Sequence, residues 1–272
     1  MNVRKLCKMI DMPEEVISEI EKWNAEEYKE ALEHSWMLVQ DKSKWEDALA
    51  EVKELLGDDK NGLKCLAFML HTGLRTYQEY IRKGITEQIY IDTLKCFSRF
   101  VREYDESFGS YGFDREWWTV RELTLKEFRL GELEYEMVEK DGHRLVSVHI
   151  PSDAKLERKR CRESYKKARS FFMDYASDYA ETEYFCDSWL ISPKLKELLA
   201  ETSNIIRFQE DFILDSFEPE ATGYMLWVFK NEALSLDEVP QNTSLQRKMK
   251  AYLKNGGKIG EGKGHLKEES FE

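Results

Sequence analysis

From the start of the chain to about Glu122, apolar residues recur every three or four positions, the spacing of amphipathic helices. Pro13, Glu14 and Glu15 indicate one helix start, because a first helical turn accommodates proline and favours acidic side chains. The helices predicted in this way run from Pro13 through Trp23, over 44–56, 63–82 and 86–103, and through Trp117 and Trp118. The pattern predicts a helical bundle with short connections over residues 1–123.

The pattern changes near Thr124, where polar and apolar residues alternate as they do in a half-buried strand. Asp141 and Gly142 supply the positive φ of a hairpin turn, so the segments on either side predict an antiparallel pair. Later predicted elements are strand 144–150, helix 155–176, strand 182–190, helix 193–200, strands 204–215 and 222–229, and helix 243–254. The tail after Asn255 looks loose. The sequence thus predicts an α+β protein, with a mixed sheet flanked by helices over 124–272.

The composition is typical of a folded, acidic protein. A hydrophobic fraction of 42% excludes disorder, and a formal net charge of -12 disfavours nucleic acid as a partner. No apolar run reaches the roughly 20 residues that cross a bilayer, and the first residues lack the apolar segment of a signal peptide. We therefore expect a cytoplasmic protein with no membrane partner; the oligomeric state stays open.

Cysteine and histidine spacing gives no sign of a metal centre. The five cysteines are scattered without a C-x-x-C pair, which indicates reduced thiols instead of disulfides or a zinc site. His143 and His149 have no third ligand at metal spacing, so we expect no metal.

Charge reverses locally in the predicted helix after Pro151. Between Asp153 and Arg169, eight basic residues stand against three acidic ones, a net charge of +5. A solvated helix face is one explanation, since such faces are common. The other is a phosphate site: Lys155, Arg158 and Lys159 fall in the first turns, where free N–H groups and the helix dipole attract anions such as a pyrophosphate or a ribose phosphate.

Side chains at the ends of the two flanking strands are candidates for chemistry. His149 shares a strand face with Ser147 and titrates near neutrality, so it is either a general base or a structural histidine. Cys186 and Ser188 share a face of the second strand. Cys186 is a nucleophile only if its pKa is lowered, and otherwise a buried thiol. Trp189 is typical of a core or a pocket wall.

Four segments of the chain resemble a bacterial family of GNAT-like acyltransferases with an N-terminal helical domain: 148–151, 185–190, 203–209 and 242–247. The resemblance covers essentially the whole chain. It implies that acetyl-CoA or another acyl-CoA lies between splayed parallel strands 144–150 and 182–190, with its pyrophosphate at the N-terminus of helix 155–176. The cofactor-binding residues implied are Val148, Ile150, Lys155, Arg158, Lys159 and Trp189.

The resemblance also implies a reaction, in which the amine of a small molecule or peptide attacks the thioester. His149 or Glu136 is the candidate base, Ser188 or Cys186 lies beside the leaving sulfur, and Tyr224 is a candidate acid. These assignments rest on position along the strands and on side-chain chemistry.

The predicted phosphate loop departs from the superfamily pattern. An Arg/Gln-x-x-Gly-x-Gly/Ala signature is usual there, and this chain has Pro151-Ser152-Asp153-Ala154-Lys155 instead. Without glycines the backbone approaches a phosphate less closely. Two other functions therefore stay open: a catalytically degenerate binding module for a protein, peptide or small ligand, and a small-molecule sensor with its ligand between the domains.

Overall fold

The computed structural model describes residues 1–39 and 41–272, and these fall into two compact units, Met1–Arg129 and Leu130–Glu272. None of the described helices is both long and apolar enough to cross a membrane. The helices of the first unit are α1 Val3–Met9, α2 Glu14–Lys22, α3 Lys29–Val39, α4 Trp45–Leu56, α5 Leu63–Arg82, α6 Glu87–Phe108 and α7 Glu116–Leu123.

Helix α5 lies at the centre of the first unit, where it packs against α1, α2, α4, α6 and α7. Two buried hydrogen bonds fix its neighbours: the Tyr90 hydroxyl of α6 donates to the Gly73 carbonyl at 2.8 Å, and the Thr76 hydroxyl donates to the Leu123 carbonyl at 2.8 Å. The helical bundle predicted from apolar spacing is confirmed. Helices α1 and α3 were not predicted, and α6 continues five residues beyond its predicted end at Glu103.

The second unit is built on a mixed sheet with strand order β1-β2-β3-β4-β6-β5. Strand β4 runs parallel to β3, while β2 is antiparallel to β3 and β6 is antiparallel to both β4 and β5. The predicted α+β class is therefore confirmed. The elements are β1 Glu127–Leu130, β2 Leu133–Lys140, β3 His143–His149, α8 Arg158–Tyr175, α9 Ser177–Ala180, β4 Tyr184–Ser188, α10 Asn204–Gln209, β5 Phe212–Glu218, α11 Tyr224–Phe229, α12 Ser244–Lys254 and β6 Glu261–Leu266, with 3-10 turns at Trp189–Ile191, Pro193–Glu197 and Glu268–Phe271.

Helix α8 is fixed to the β1–β2 hairpin through one buried hydroxyl. Ser164 Oγ donates to the Leu130 carbonyl at 2.6 Å and accepts from the Leu133 amide at 3.1 Å and the Tyr135 hydroxyl at 2.9 Å. Because the hydroxyl and its partners are buried, each bond satisfies a polar group that has no access to water. The start of α8 is thereby held at the C-terminal end of β3.

Two predicted strands are wrong because short apolar runs are ambiguous between strand and helix. Within the predicted strand 204–215, Asn204–Gln209 forms α10, and the strand β5 begins only at Phe212. The Gln209 side chain donates to the carbonyls of Leu190 and Ser192, both at 2.8 Å, so tertiary contacts favour the helix. The predicted strand 222–229 is the helix α11, whose Val228 carbonyl accepts from Gln246 Nε2.

The tail after Asn255 is not loose, because its glycines form the inner strand β6. Gly262 pairs with Ser188 of β4 and Gly264 pairs with Cys186. A Cβ at Gly262 would lie 2.6 Å from the carbonyl oxygen of Ile191, where the chain crosses the strand after leaving β4. Glycine is therefore required by close backbone approach, and not by a loop conformation.

We expect Gly262→Ala to lower the free energy of unfolding by about 1–3 kcal/mol, because the new methyl group overlaps a backbone oxygen that cannot rotate away. Lys263→Ala, one residue along on the other strand face, is the matched control and should cost less than about 1 kcal/mol. Urea unfolding followed by circular dichroism measures both values. Equal stability of the two variants would show that the contact between Gly262 and the Ile191 carbonyl leaves room for a methyl group.

Candidate active site

The candidate site lies where β3 and β4 part. The two parallel strands pair only at Val146 with Tyr184 and at Ser147 with Phe185. Beyond Ser147, β3 continues to His149, whereas β4 remains paired with β6 as far as Ser188. The C-terminal halves of the two strands are therefore not paired with each other, and this unpaired region, here called the opening, lies at the edge where open α/β sheets bind ligands.

His149 and Glu136 form a pair on the β3 side of this opening. Strand β2 places Glu136 opposite Ser147 and Glu134 opposite His149, so these side chains share one sheet face. Nε2 of His149 lies 3.1 Å from Oε2 of Glu136, and their side chains are 20% and 6% exposed. A buried carboxylate that contacts one ring nitrogen fixes the orientation of the imidazole. The arrangement suits a general base at the rim of the opening.

The β4 side of the opening presents buried groups. Cys186 is fully buried, and burial raises the pKa of its thiol far above the ordinary range. That environment opposes the thiolate form that a nucleophile needs. Ser188 Oγ accepts from the Leu190 amide at 3.2 Å and so turns the chain out of the strand, and Trp189 is buried in the turn that follows.

Tyr224 begins the helix α11 beside the first residue of β6. The backbone of Gly223 hydrogen-bonds Glu261, which precedes the glycine paired with Ser188. Burial raises the pKa of Tyr224. Burial and the neighbouring Asp187 carboxylate raise the pKa of Glu261.

The loop between β3 and α8 is held from two sides at Lys155. Its backbone amide donates to Glu132 Oε1 at 2.5 Å, and its carbonyl accepts from Asn204 Nδ2 at 2.9 Å. The next residue, Leu156, is buried with φ of 54°. The chain therefore adopts a left-handed conformation before α8 without the glycine that normally supplies it.

The basic residues at the start of α8 have acidic partners from other parts of the fold. Acids within the helix region itself account for only two of the contacts, those of Glu157 and Glu163. The ion pairs are Arg158 with Glu210 at 3.4 Å and with Asp211 at 3.5 Å, Lys159 with Glu163 at 3.9 Å, Arg160 with Glu132 at 3.1 Å and with Glu157 at 3.4 Å, and Arg162 with Asp211 at 3.6 Å. The positive charge seen in the sequence is thus partly balanced in the folded chain.

Comparison with known proteins assigns both units. Residues 1–125 match the N-acyltransferase N-terminal domain, and residues 127–266 match the GNAT-like C-terminal domain. The chain belongs to this GNAT-like N-acyltransferase family. The resemblance inferred from the sequence is therefore confirmed. No curated protein matches the sequence.

Solved structures of the same fold are acyltransferases. One, in complex with decanoyl-CoA and teicoplanin, has a TM-score of 0.81 and 25% identity, over 97% of this chain and 87% of that one. A second, in complex with CoA and 10C-teicoplanin, has a TM-score of 0.82 and 24% identity over the same shares. A mutant acyltransferase in complex with octanoyl-CoA has a TM-score of 0.81 and 24% identity, again over 97% and 87%.

The GNAT-like domain brings some predicted residues together and separates others. His149 and Glu136, predicted as alternatives, are in contact. Val148, the neighbour of His149 in β3, is buried, and Ile150 follows the end of the strand. Lys159 is predicted to bind cofactor, and its side chain is 88% exposed beside Glu163. Sequence reasoning missed Glu132 and Asp211, because the partners of both lie more than 20 residues away along the chain.

We expect iodoacetamide at pH 8 to leave all five cysteines of the native protein unmodified and to label all five after unfolding. Every thiol is buried, and burial raises the pKa of Cys7, Cys65 and Cys161 to about 12, so the reactive thiolate is scarce at pH 8. Intact mass spectrometry counts the labels. Rapid labelling of Cys186 in the native protein would instead indicate an activated thiol in the opening.

Proposed function

We propose that the protein is an N-acyltransferase that moves the acyl group of an acyl-CoA to an amine of a small molecule or peptide. The observation that carries this proposal is the early end of the β3–β4 ladder beside His149, within a GNAT-like domain. An opening between parallel strands suits an extended thioester, and the acceptor amine must come close to the base at its rim.

Two features support acyl-CoA as the donor. The 25%-identical acyltransferase was solved with decanoyl-CoA, and its fold aligns over 97% of this chain. Strand β3 also leads through its loop into the N-terminus of α8, and Lys155, Arg158 and Lys159 are the proposed source of positive charge for a pyrophosphate. Val148, Ile150 and Trp189 are the proposed contacts of the donor along the two strands. Donors from acetyl-CoA to decanoyl-CoA are candidates.

In the proposed reaction, the acceptor nitrogen attacks the thioester carbonyl carbon and the C–S bond breaks. His149 takes the proton from the nitrogen, and Glu136 holds the imidazole in place through its contact with Nε2. The leaving thiolate needs a proton, and the hydroxyl of Tyr224 or Ser188 is the candidate donor. Tyr224 is a candidate because it begins α11 next to Gly223, whose backbone hydrogen-bonds Glu261 at the start of β6. Cys186 has no assigned proton transfer in this scheme.

The alternative is a binding module that has lost the transfer reaction. It is favoured by the loop before α8, which contains no glycine. There the Glu132 carboxylate accepts a hydrogen bond from the Lys155 amide, a donor that a phosphate would otherwise use. A protein, peptide or small ligand would then occupy the opening without turnover.

We expect His149→Ala to lower kcat about 100-fold or more with acetyl-, octanoyl- or decanoyl-CoA as donor, because the proton acceptor is lost. Acceptors are teicoplanin, which the similar acyltransferase binds, and a simple primary amine. Release of the CoA thiol measures the rate. His265→Ala is the matched control, since His265 contacts Asp215 at 2.8 Å on another strand, and its kcat should stay within about twofold.

Thermal shift with the same donors separates the two proposals. A donor that binds the native state raises the melting temperature, whether or not transfer follows. Binding without thiol release by the wild type would support the binding module. Equal losses in the two histidine variants, or no stabilisation by any acyl-CoA, would contradict the acyltransferase.

A further inference from the structure

Two arginines on the first turns of α8 share one buried carboxylate. Arg158 and Arg162 are four residues apart, so their side chains leave the helix on the same face. Arg158 Nη2 lies 3.5 Å and Arg162 Nη2 lies 3.6 Å from the same oxygen, Oδ1 of Asp211. A single residue from the start of β5 therefore draws both guanidinium groups together.

Asp211 is a rigid anchor with an incomplete set of partners. It is 1% exposed, and neither carboxylate oxygen makes a hydrogen bond. Its backbone is fixed, because the Asp211 carbonyl accepts from the Lys267 amide at 2.9 Å and from Ser270 Oγ at 3.2 Å. A buried carboxylate with only long contacts to two cations is an unusual arrangement for stability alone, because each unmade hydrogen bond is costly.

The outer edges of the two guanidinium groups remain accessible. The Arg158 and Arg162 side chains are 46% and 31% exposed, and each guanidinium carries five N–H donors. The second partner of Arg158, Glu210, is 50% exposed at 3.4 Å, and a solvated pair of that kind is weak. An incoming phosphate could therefore replace Glu210 without breaking the buried contact.

We propose that Arg158 and Arg162, held by Asp211, bind the 3′-phosphate of the CoA donor. The inference rests on the proposed function, which puts the pyrophosphate at the start of α8. Both guanidinium groups converge on one oxygen of Asp211, so their remaining N–H donors lie close enough together to meet a single phosphate. A phosphate monoester dianion matches the forked donors of paired arginines.

Isothermal titration of CoA and of dephospho-CoA, which lacks only the 3′-phosphate, tests the inference. In the wild type, we expect dephospho-CoA to bind at least about tenfold more weakly than CoA. In Arg158→Gln and Arg162→Gln the two ligands should differ by less than about threefold, because CoA loses affinity and dephospho-CoA does not. Lys167→Ala removes an exposed positive charge further along α8 and should keep the wild-type ratio.

The possible results distinguish a failure of the proposed phosphate site from a failure of the proposed function. Equal binding of the two ligands by the wild type, or an unchanged ratio in both glutamine variants, would overturn the phosphate site and leave the acyltransferase intact. If neither CoA nor dephospho-CoA binds the wild type, the acyl-CoA function is rejected, and this site with it. If Arg162→Gln does not fold, the double variant Arg162→Gln/Asp211→Asn also removes the carboxylate charge that Arg162 balanced. The ratio of CoA affinity to dephospho-CoA affinity is then measured in the double variant.

Discussion

The short ladder between β3 and β4 is the constraint on which the candidate site depends. Two residue pairs join the strands, and beyond them β4 is paired only with β6. The glycines of β6 make this possible, because they let the chain after β4 cross the sheet at backbone distance. If β4 instead stayed beside β3 to its end, the opening next to His149 would be closed by ordinary strand pairing.

Charge at the start of α8 has a different meaning in the sequence and in the fold. In the sequence it is a basic segment within an acidic chain, and local composition predicts an open phosphate site. In the folded unit, Glu132, Glu210 and Asp211 come from distant segments and take up much of that charge. What remains is a selected set of donors with fixed directions, which favours recognition of a particular anion over general attraction.

Patterns that act over a few residues were predictable, and contacts across the chain were not. The hairpin at Asp141 and Gly142, both with positive φ, the long helices and the β3–α8–β4 order follow from local spacing and turn chemistry. The contact between His149 and Glu136 was within reach, because the hairpin register places them on one face. The helices α10 and α11 and the strand β6 were not, since side chains from elsewhere decide between helix, strand and loop there.

Lys155 links three parts of the chain through its backbone: the β1–β2 turn through Glu132, its own loop, and α10 through Asn204. Ordering a loop of this kind costs conformational entropy, and here the cost falls on folding. A molecule that arrives at the start of α8 therefore meets a surface whose shape is already set. Affinity at such a surface depends on how well a ligand matches it, and little is lost to freezing the protein on arrival.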